Sequence, residues 1–407
     1  MESREGKVRR ERAVVLLSND FSHPSLAEQQ YAFSWRINRL RPLLQRGDVV
    51  IVVAAGGSVG SKGRPTLSNL KHPMRNDGRM VLISPPILRI PMLWLIQSMI
   101  VTPLMLLLYC RSHRMDVEAI VAASVPYGAV GKVLNRFLNT VLIVDYGDPD
   151  FARERSVALK VLLLLETYVL GSGGVDAVTC IDPIIRKYVE RYRVKNVIFL
   201  PPGGFWKGSS MSAVNEGAAA SQMVVYAGHV AGPPAYRLDI LMEAAPTILA
   251  KNPKARIVIV GDGEYLSRVR KRAKELGLAD RIETTGAVPY EAAKARIAEA
   301  GVALQLLNDM CLGTKVIDYF AMGKAVVSCG NFYNNYTEFL QNGENCLLVP
   351  PDSGKLAEAI SLLLVDDRLR EKLGKRAFET MEGYDWESQA NHIVELISHG
   401  RRVVTAR

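Results

Sequence analysis

Metal-ligand spacing is missing from this sequence. Its six histidines are scattered without an HExxH or HxxxH pattern, and its five cysteines (Cys110, Cys180, Cys311, Cys329, Cys346) include no close pair. No metal is therefore implied. The odd number of cysteines argues against a complete disulfide framework and fits a reducing compartment. Low-complexity segments are also missing, and 48% hydrophobic against 23% charged residues is a globular balance that excludes a disordered chain. There is no zinc-finger spacing, RNP-type aromatic pattern or long Lys/Arg block, which sets nucleic acid aside as the partner for a net charge of +10. An acidic lipid surface or a phosphorylated substrate remains. The first apolar run, residues 13–17, is short and lacks a cleavage-site pattern, so it reads as a first β-strand.

At 407 residues the chain is too long for one ordinary core, and two domains are expected. Short β-branched runs at 13–18, 49–54, 80–84, 119–122, 141–144, 177–180 and 197–200 alternate with helical patterns. That alternation predicts a parallel, doubly wound sheet. Residues 201–221, rich in Gly, Ser and Ala, break the pattern and read as a linker. The alternation then restarts, with strands at 223–227, 256–260, 282–285, 302–306, 325–328 and 346–349. The fold class is thus α/β, two Rossmann-like sheets facing a cleft, with ligands expected outside the carboxyl ends of the strands. The domains are placed at 1–205 and 222–383, with 384–407 as a final helix.

Residues 90–110, IPMLWLIQSMIVTPLMLLLYC, contain no charge and approach the roughly 20 residues that span a bilayer. A span would put the strands on either side of it on opposite faces of the membrane, and Pro91 and Pro103 break the helix. Two readings stay open. The segment is a buried core helix, or it lies in the membrane interface beside Arg89, Arg111, His113 and Arg114.

The densest chemical signal lies at 308–330, NDMCLGTKVIDYFAMGKAVVSCG. Gly313 supplies a turn, Thr314 a cap, and Gly323 stops a helix over 315–322. The N–H groups and dipole of such a helix start suit a diphosphate. Lys315 adds a cation there, and Asp318, one turn on, can accept hydrogen bonds from a ribose diol. The bland alternative is a surface ion pair between Lys315 and Asp318.

This segment resembles the C-terminal signature of family 4 retaining glycosyltransferases, in which two acids separated by seven residues precede a small-residue helix end and a GKPVV strand. Residues 318–327, DYFAMGKAVV, match its second half. The resemblance implies a GT-B fold and gives Asp318 the ribose contact. The family's first acid falls on Met310, a departure, and Gly313-Thr314-Lys315 looks like the Pro-x-Lys turn of some members. Gly228-His229 stands where the family has Gly-Arg, and Tyr236-Arg237 where it has a phosphate-binding Lys-Gly. His229 and Arg237 are the implied substitutes, with a hydrogen-bonded loop histidine as the alternative for His229. Gly261, Asp262 and Gly263 match the family's Gly-Asp-Gly turn, and Val288-Pro289 the loop that reads the base. Tyr384-Asp385-Trp386 resembles the start of a last helix that crosses back to the first domain.

Other signals are weaker. The loop GGSVGSKG at 56–63 follows a strand but lacks Walker spacing. Asp145, Asp148 and Asp150 could face an acceptor or cap a turn, and His23 follows the first strand; His23 and Asp148 are the acceptor-side candidates.

The expectation is a metal-independent hexosyltransferase without cofactor. It would use a nucleoside diphosphate sugar, with Lys315, Arg237 and Asp318 as catalytic residues, on a lipid-linked or cell-surface glycan acceptor, with retention. An anionic membrane surface is the expected partner, and a cytoplasmic location at the inner face follows. The rivals are a sugar-nucleotide epimerase and a membrane-associated binding protein without catalysis. The base, sugar, acceptor and oligomeric state are not written in the sequence.

Overall fold

The structure is a computed structural model. It describes residues 10–18, 39–40, 43–44, 49–54, 74–77, 80–83, 85, 93–147, 163–192, 194–203, 221–234, 236–308, 312–331 and 339–405. The chain divides into two compact units. One comprises Met1–Ile181, Ile185–Pro201 and Trp386–Arg407, the other Asp182–Ile184 and Pro202–Asp385.

The first unit is built on eight strands: β1 (Glu11–Ser18), β2 (Val49–Ala54), β3 (Met74–Asp77), β4 (Met80–Ile83), β5 (Met115–Ala123), β6 (Val141–Tyr146), β7 (Ala177–Cys180) and β8 (Val197–Phe199). Their order in the sheet is β3-β4-β2-β1-β5-β6-β7-β8. Every neighbouring pair is parallel except β3 and β4. β3 was not anticipated, because MRND carries no apolar run; it is a polar edge strand that pairs antiparallel with its neighbour.

Both faces of this sheet are covered, which is why β1 is apolar at successive rather than alternate positions. Ala13, Val15 and Leu17 pack beneath α1 (Leu93–Ser112) and α2 (Ser124–Leu138). Val14 and Leu16 meet Leu40, Leu43 and the final helix, α3 (Pro183–Val189) lying elsewhere in the chain order. That final helix, Trp386–Thr405, belongs to this unit although it is last in sequence. Its Ile393 and Ile397 are 0% and 5% exposed, each contributing about 1.5–3 kcal/mol.

α1 resolves the two readings of the apolar run in an unexpected way. Ser98, Thr102, Leu106, Tyr109 and Cys110 are buried toward the sheet, whereas Ile96, Ile100, Leu104 and Leu108 are exposed. One face is core and the other is not. The helix continues through Pro103 instead of breaking there; packing on the sheet outweighs the roughly 3 kcal/mol cost of an internal proline. Because β4 before it and β5 after it share one sheet, α1 does not cross a membrane.

The second unit has six strands: β9 (Met223–Ala227), β10 (Arg256–Val260), β11 (Ile282–Gly286), β12 (Val302–Leu306), β13 (Ala325–Cys329) and β14 (Leu347–Val349). All pair in parallel, in the order β11-β10-β9-β12-β13-β14. Between them run α4 (Leu238–Lys251), α5 (Leu266–Glu275), α6 (Tyr290–Glu299) and α7 (Thr314–Ala321), and after them α8 (Ser353–Val365) and α9 (Asp367–Thr380). The final helix is α10. Successive strands step outward from β9 in one direction, then from β12 in the other, so the switch point of this sheet lies between β9 and β12.

Asp145, a candidate for an acceptor contact or a turn cap, is buried away from solvent. It ends β6 at 1% exposure and accepts hydrogen bonds from Arg39 Nη1 (3.1 Å) and Thr179 Oγ1 (2.7 Å). Arg39 also donates to the carbonyls of Leu200 and Pro201. Removing one partner of a buried pair strands the other charge, so Arg39→Met should lower stability by about 3–5 kcal/mol. In chemical denaturation, the double variant Arg39→Met, Asp145→Leu should recover most of that loss. A double variant no more stable than the single one would contradict this role.

Candidate functional site

The ladder between β9 and β12 is short. It comprises Val302↔Val224 and Ala303↔Val225 only, whereas β10 follows β9 as far as Ala227. Past Val225 the two central strands separate at their carboxyl ends, and side chains fill the opening. Tyr319, from α7, has its hydroxyl 2.9 Å from the Ala227 N–H, which donates to it. This supplies the acceptor that the missing ladder does not. Gln305, fully buried in β12, accepts from the Gly313 N–H at 2.7 Å and donates to Ser328 Oγ at 2.7 Å.

α7 begins at Thr314, with Gly313 as its N-cap residue. This corrects the expectation that Thr314 is the cap and that the helix opens at Lys315. Gly313 stands there because a Cβ would meet Leu307 Cδ1 at 2.9 Å and Gln305 Oε1 at 3.0 Å. Its N–H is already used by Gln305. The N–H groups of Thr314 and Lys315 are the next in line, and first-turn N–H groups have no intrahelical acceptor.

Lys315 turns toward β9 and not along its own helix to Asp318. Its Nζ donates to Tyr226 Oη at 3.0 Å and lies 4.1 Å from the centroid of the Tyr226 ring and 5.4 Å from that of Tyr236. No carboxylate among the described residues pairs with it. Burial without a counter-charge pushes its pKa down to about 7. Tyr226 is itself fully buried and donates to the His229 carbonyl at 2.7 Å. A side chain on Gly228 would come within 2.9 Å of Lys315 Nζ, and Gly228 has φ +140°. Asp318 follows one turn later, half-buried on the same short helix.

The remaining sequence candidates of this unit lie on the neighbouring strand ends. His229 is exposed, with Nε2 3.3 Å from Glu264 Oε2 and its ring edge-on to Tyr236 at 5.8 Å. Arg237 precedes α4, and its N–H donates to the Leu306 carbonyl, tying this loop to β12. Its Nε and Nη2 are held by Asp239. Asp262 accepts from the Gly263 N–H at 2.8 Å. Val288 is half-buried and Pro289 exposed, the latter as N-cap residue of α6. His23, Asp148, Asp150, Met310 and the loop 56–63 lie outside the described residues.

Sequence reading missed Tyr226, Tyr236, Tyr319 and Gln305. For Tyr226 and Gln305 the available signal was an aromatic or amide near the end of a buried strand, where an aliphatic residue is the ordinary choice; Tyr236, in a loop, and Tyr319, on α7, gave no such signal. It also took Lys324 only as part of a motif. Lys324 is 2% exposed, and its Nζ donates to the carbonyls of Ala298 and Ala300, closing the end of α6. Burial pushes its pKa down to about 8.

Comparison with known proteins agrees with this fold. Two doubly wound sheets of this kind define the GT-B class of fold. A sucrose-phosphate synthase from Thermosynechococcus elongatus superposes with a TM-score of 0.71 at 18% identity, covering 98% of this chain and 100% of that one. Anabaena HepE, solved in complex with UDP, superposes with a TM-score of 0.68 at 15% identity, covering 96% of this chain and 100% of that one. Residues 221–380, which contain the whole β9–β14 sheet, match the family described as glycosyl transferases group 1. Among curated relatives, an exopolysaccharide phosphotransferase of Streptomyces coelicolor is 32% identical over 179 residues, 42% of this chain and 19% of the relative. A phosphatidyl-myo-inositol mannosyltransferase of Mycobacterium leprae is 27% identical over 161 residues, 39% of this chain and 42% of the relative. The matches span less than half the length of these curated relatives.

The Gly-Asp-Gly turn supports the opening from the side. Gly261 has φ +136°, and a Cβ there would lie 1.9 Å from the Gly228 carbonyl oxygen. Gly261→Ala should therefore displace the loop that carries Gly228 and cost about 2 kcal/mol or more. Thermal unfolding reads the loss, and an unchanged melting temperature would show that the two loops are not in contact.

Proposed function

We propose that the chain is a hexosyltransferase. It takes a hexose from a nucleoside diphosphate sugar to a lipid-linked acceptor or cell-surface glycan precursor, with retention and without a resident metal or cofactor. It does so at the inner, cytoplasmic face of a membrane. The observation that carries this reading is Lys315: an ammonium half-buried at the sheet switch point, beside the first N–H groups of α7, with no described carboxylate to neutralise it. Such a place is arranged for an anion. The neighbours add support, since HepE was solved in complex with UDP and the M. leprae relative is a phosphatidyl-myo-inositol mannosyltransferase.

In the proposed reaction the acceptor hydroxyl oxygen bonds to the anomeric carbon as the bond from that carbon to the β-phosphate oxygen breaks; the hydroxyl proton is released to solvent and negative charge grows on the departing diphosphate. Lys315 and the α7 N–H groups stabilise that charge, the kind of contribution that is worth most in a dry, preorganised site. Arg237 is assigned to the same phosphates through Nη1, because Asp239 holds Nε and Nη2 in place. His229 and the loop Gly228 to His229 border the sugar. Asp318 accepts from the ribose, Val288 and Pro289 border the base, and Gly261, Asp262 and Gly263 shape the floor. His23 and Asp148 stay the acceptor-side candidates.

Binding and protonation of Lys315 are coupled. A bound diphosphate favours the ammonium and raises its pKa above about 7. The free site has a neutral amine above that pH, so binding there takes up a proton. Affinity for a UDP- or GDP-sugar should fall as pH rises from about 7 to about 9, and the dependence should vanish in Lys315→Met. Titration calorimetry in buffers of different ionisation enthalpy measures both; identical pH profiles for wild type and variant would remove Lys315 from the phosphate site.

Turnover gives a second check. Lys315→Met should lower kcat/KM by about 10²–10³-fold with the melting temperature retained. Free nucleoside diphosphate should appear faster from the donor when extracted membrane lipid is added. An altered sugar nucleotide formed without release of diphosphate would identify an epimerase instead.

A further inference from the structure

The first unit carries a surface that donor chemistry does not use. Leu93, Ile96, Ile100, Leu104 and Leu108 recur every three or four residues along α1 and are 40–64% exposed. At about 1.5 Å per residue they form one aliphatic stripe about 22 Å long. The opposite face of the helix is closed against the sheet, so the stripe is not an edge of the core. Exposed apolar surface of this extent marks an interaction site.

The chemistry around the stripe selects its occupant. α1 contains no acidic residue and carries Arg111 in its last turn; His113 and Arg114 are exposed in the turn that follows. Arg10 is exposed at the start of β1, whose Glu11 pairs in register with Met115 at the start of β5. The C-terminal end of α1 thus has Arg111, His113 and Arg114, with the carboxylates of Glu11 and Asp116 at the neighbouring strand starts. Among the described side chains the stripe is aliphatic, whereas protein interfaces concentrate their affinity in aromatic and arginine anchors. The helix is long and apolar enough to cross a bilayer by length and composition, yet the sheet holds it lengthwise. We propose that α1 lies in the plane of a membrane containing anionic lipid, with its aliphatic stripe among the acyl chains and its basic end among the headgroups.

This deepens the membrane location given above but rests on α1 alone, so it can fail while the donor reading stands. The test is sedimentation of the full chain with vesicles of phosphatidylcholine, with and without phosphatidylglycerol. Wild type should sediment with the anionic vesicles at low ionic strength and be released by salt. The double variant Ile100→Glu, Leu104→Glu should partition roughly tenfold or more weakly. Arg111→Gln, Arg114→Asn should bind more weakly and lose the salt response, the asparagine being chosen because position 114 has φ 53°. Both should keep wild-type melting temperature and nucleotide affinity. Leu104→Trp should show emission that shifts to the blue and is quenched by brominated lipid. Wild type that remains in the supernatant, or a double-glutamate variant that sediments as well as wild type, would overturn the proposal. So would a dimer that the glutamates dissolve without any vesicle binding, which would make the stripe a protein interface.

Discussion

The early end of the β9–β12 ladder is the constraint on which the second unit's site depends. Two register pairs join these strands, after which their backbones separate and need other partners. Tyr319 supplies one to Ala227 and Gln305 holds the start of α7, so the opening is fixed by hydrogen bonds from the flanking elements. Tyr226 then stands at the lip of the opening with its ring beneath Lys315. A cation over an aromatic face in a partly dry site is favourable, but by less than a carboxylate would give. The amine keeps capacity for a stronger anion, and this is where geometry turns into chemistry.

Burial acts on three basic side chains in three ways. Arg39 is neutralised by Asp145 and braces β6, a structural role that needs full pairing. Lys324 is capped by two carbonyl oxygens at the end of α6, with its pKa pushed down to about 8. Lys315 meets a hydroxyl and two rings, with its pKa pushed down to about 7. Only the last has a site whose electrostatics improve when a ligand brings negative charge.

Much of this was legible from composition and period. Strands 49–54, 177–180, 223–227, 256–260 and 302–306 coincide with the structure residue for residue, because buried parallel strands are short β-branched runs bounded by glycine and polar turns. The glycines at 261 and 313 were also legible as turn points. Hidden from the sequence were contacts between distant segments: Arg39 with Asp145, Lys324 with the end of α6, Lys315 with Tyr226. The two-faced character of α1 was hidden too, since a helix apolar on every side gives no periodic signal of which side is covered. β3 was invisible because a polar edge strand has no apolar pattern at all.

The most direct measurement is a crystal structure of the chain with a nucleoside diphosphate. The β-phosphate is expected within hydrogen-bond reach, about 2.7–3.2 Å, of Lys315 Nζ and of the Thr314 or Lys315 N–H. A phosphate bound in the second unit away from the β9–β12 opening, with Lys315 still resting on Tyr226, would contradict it.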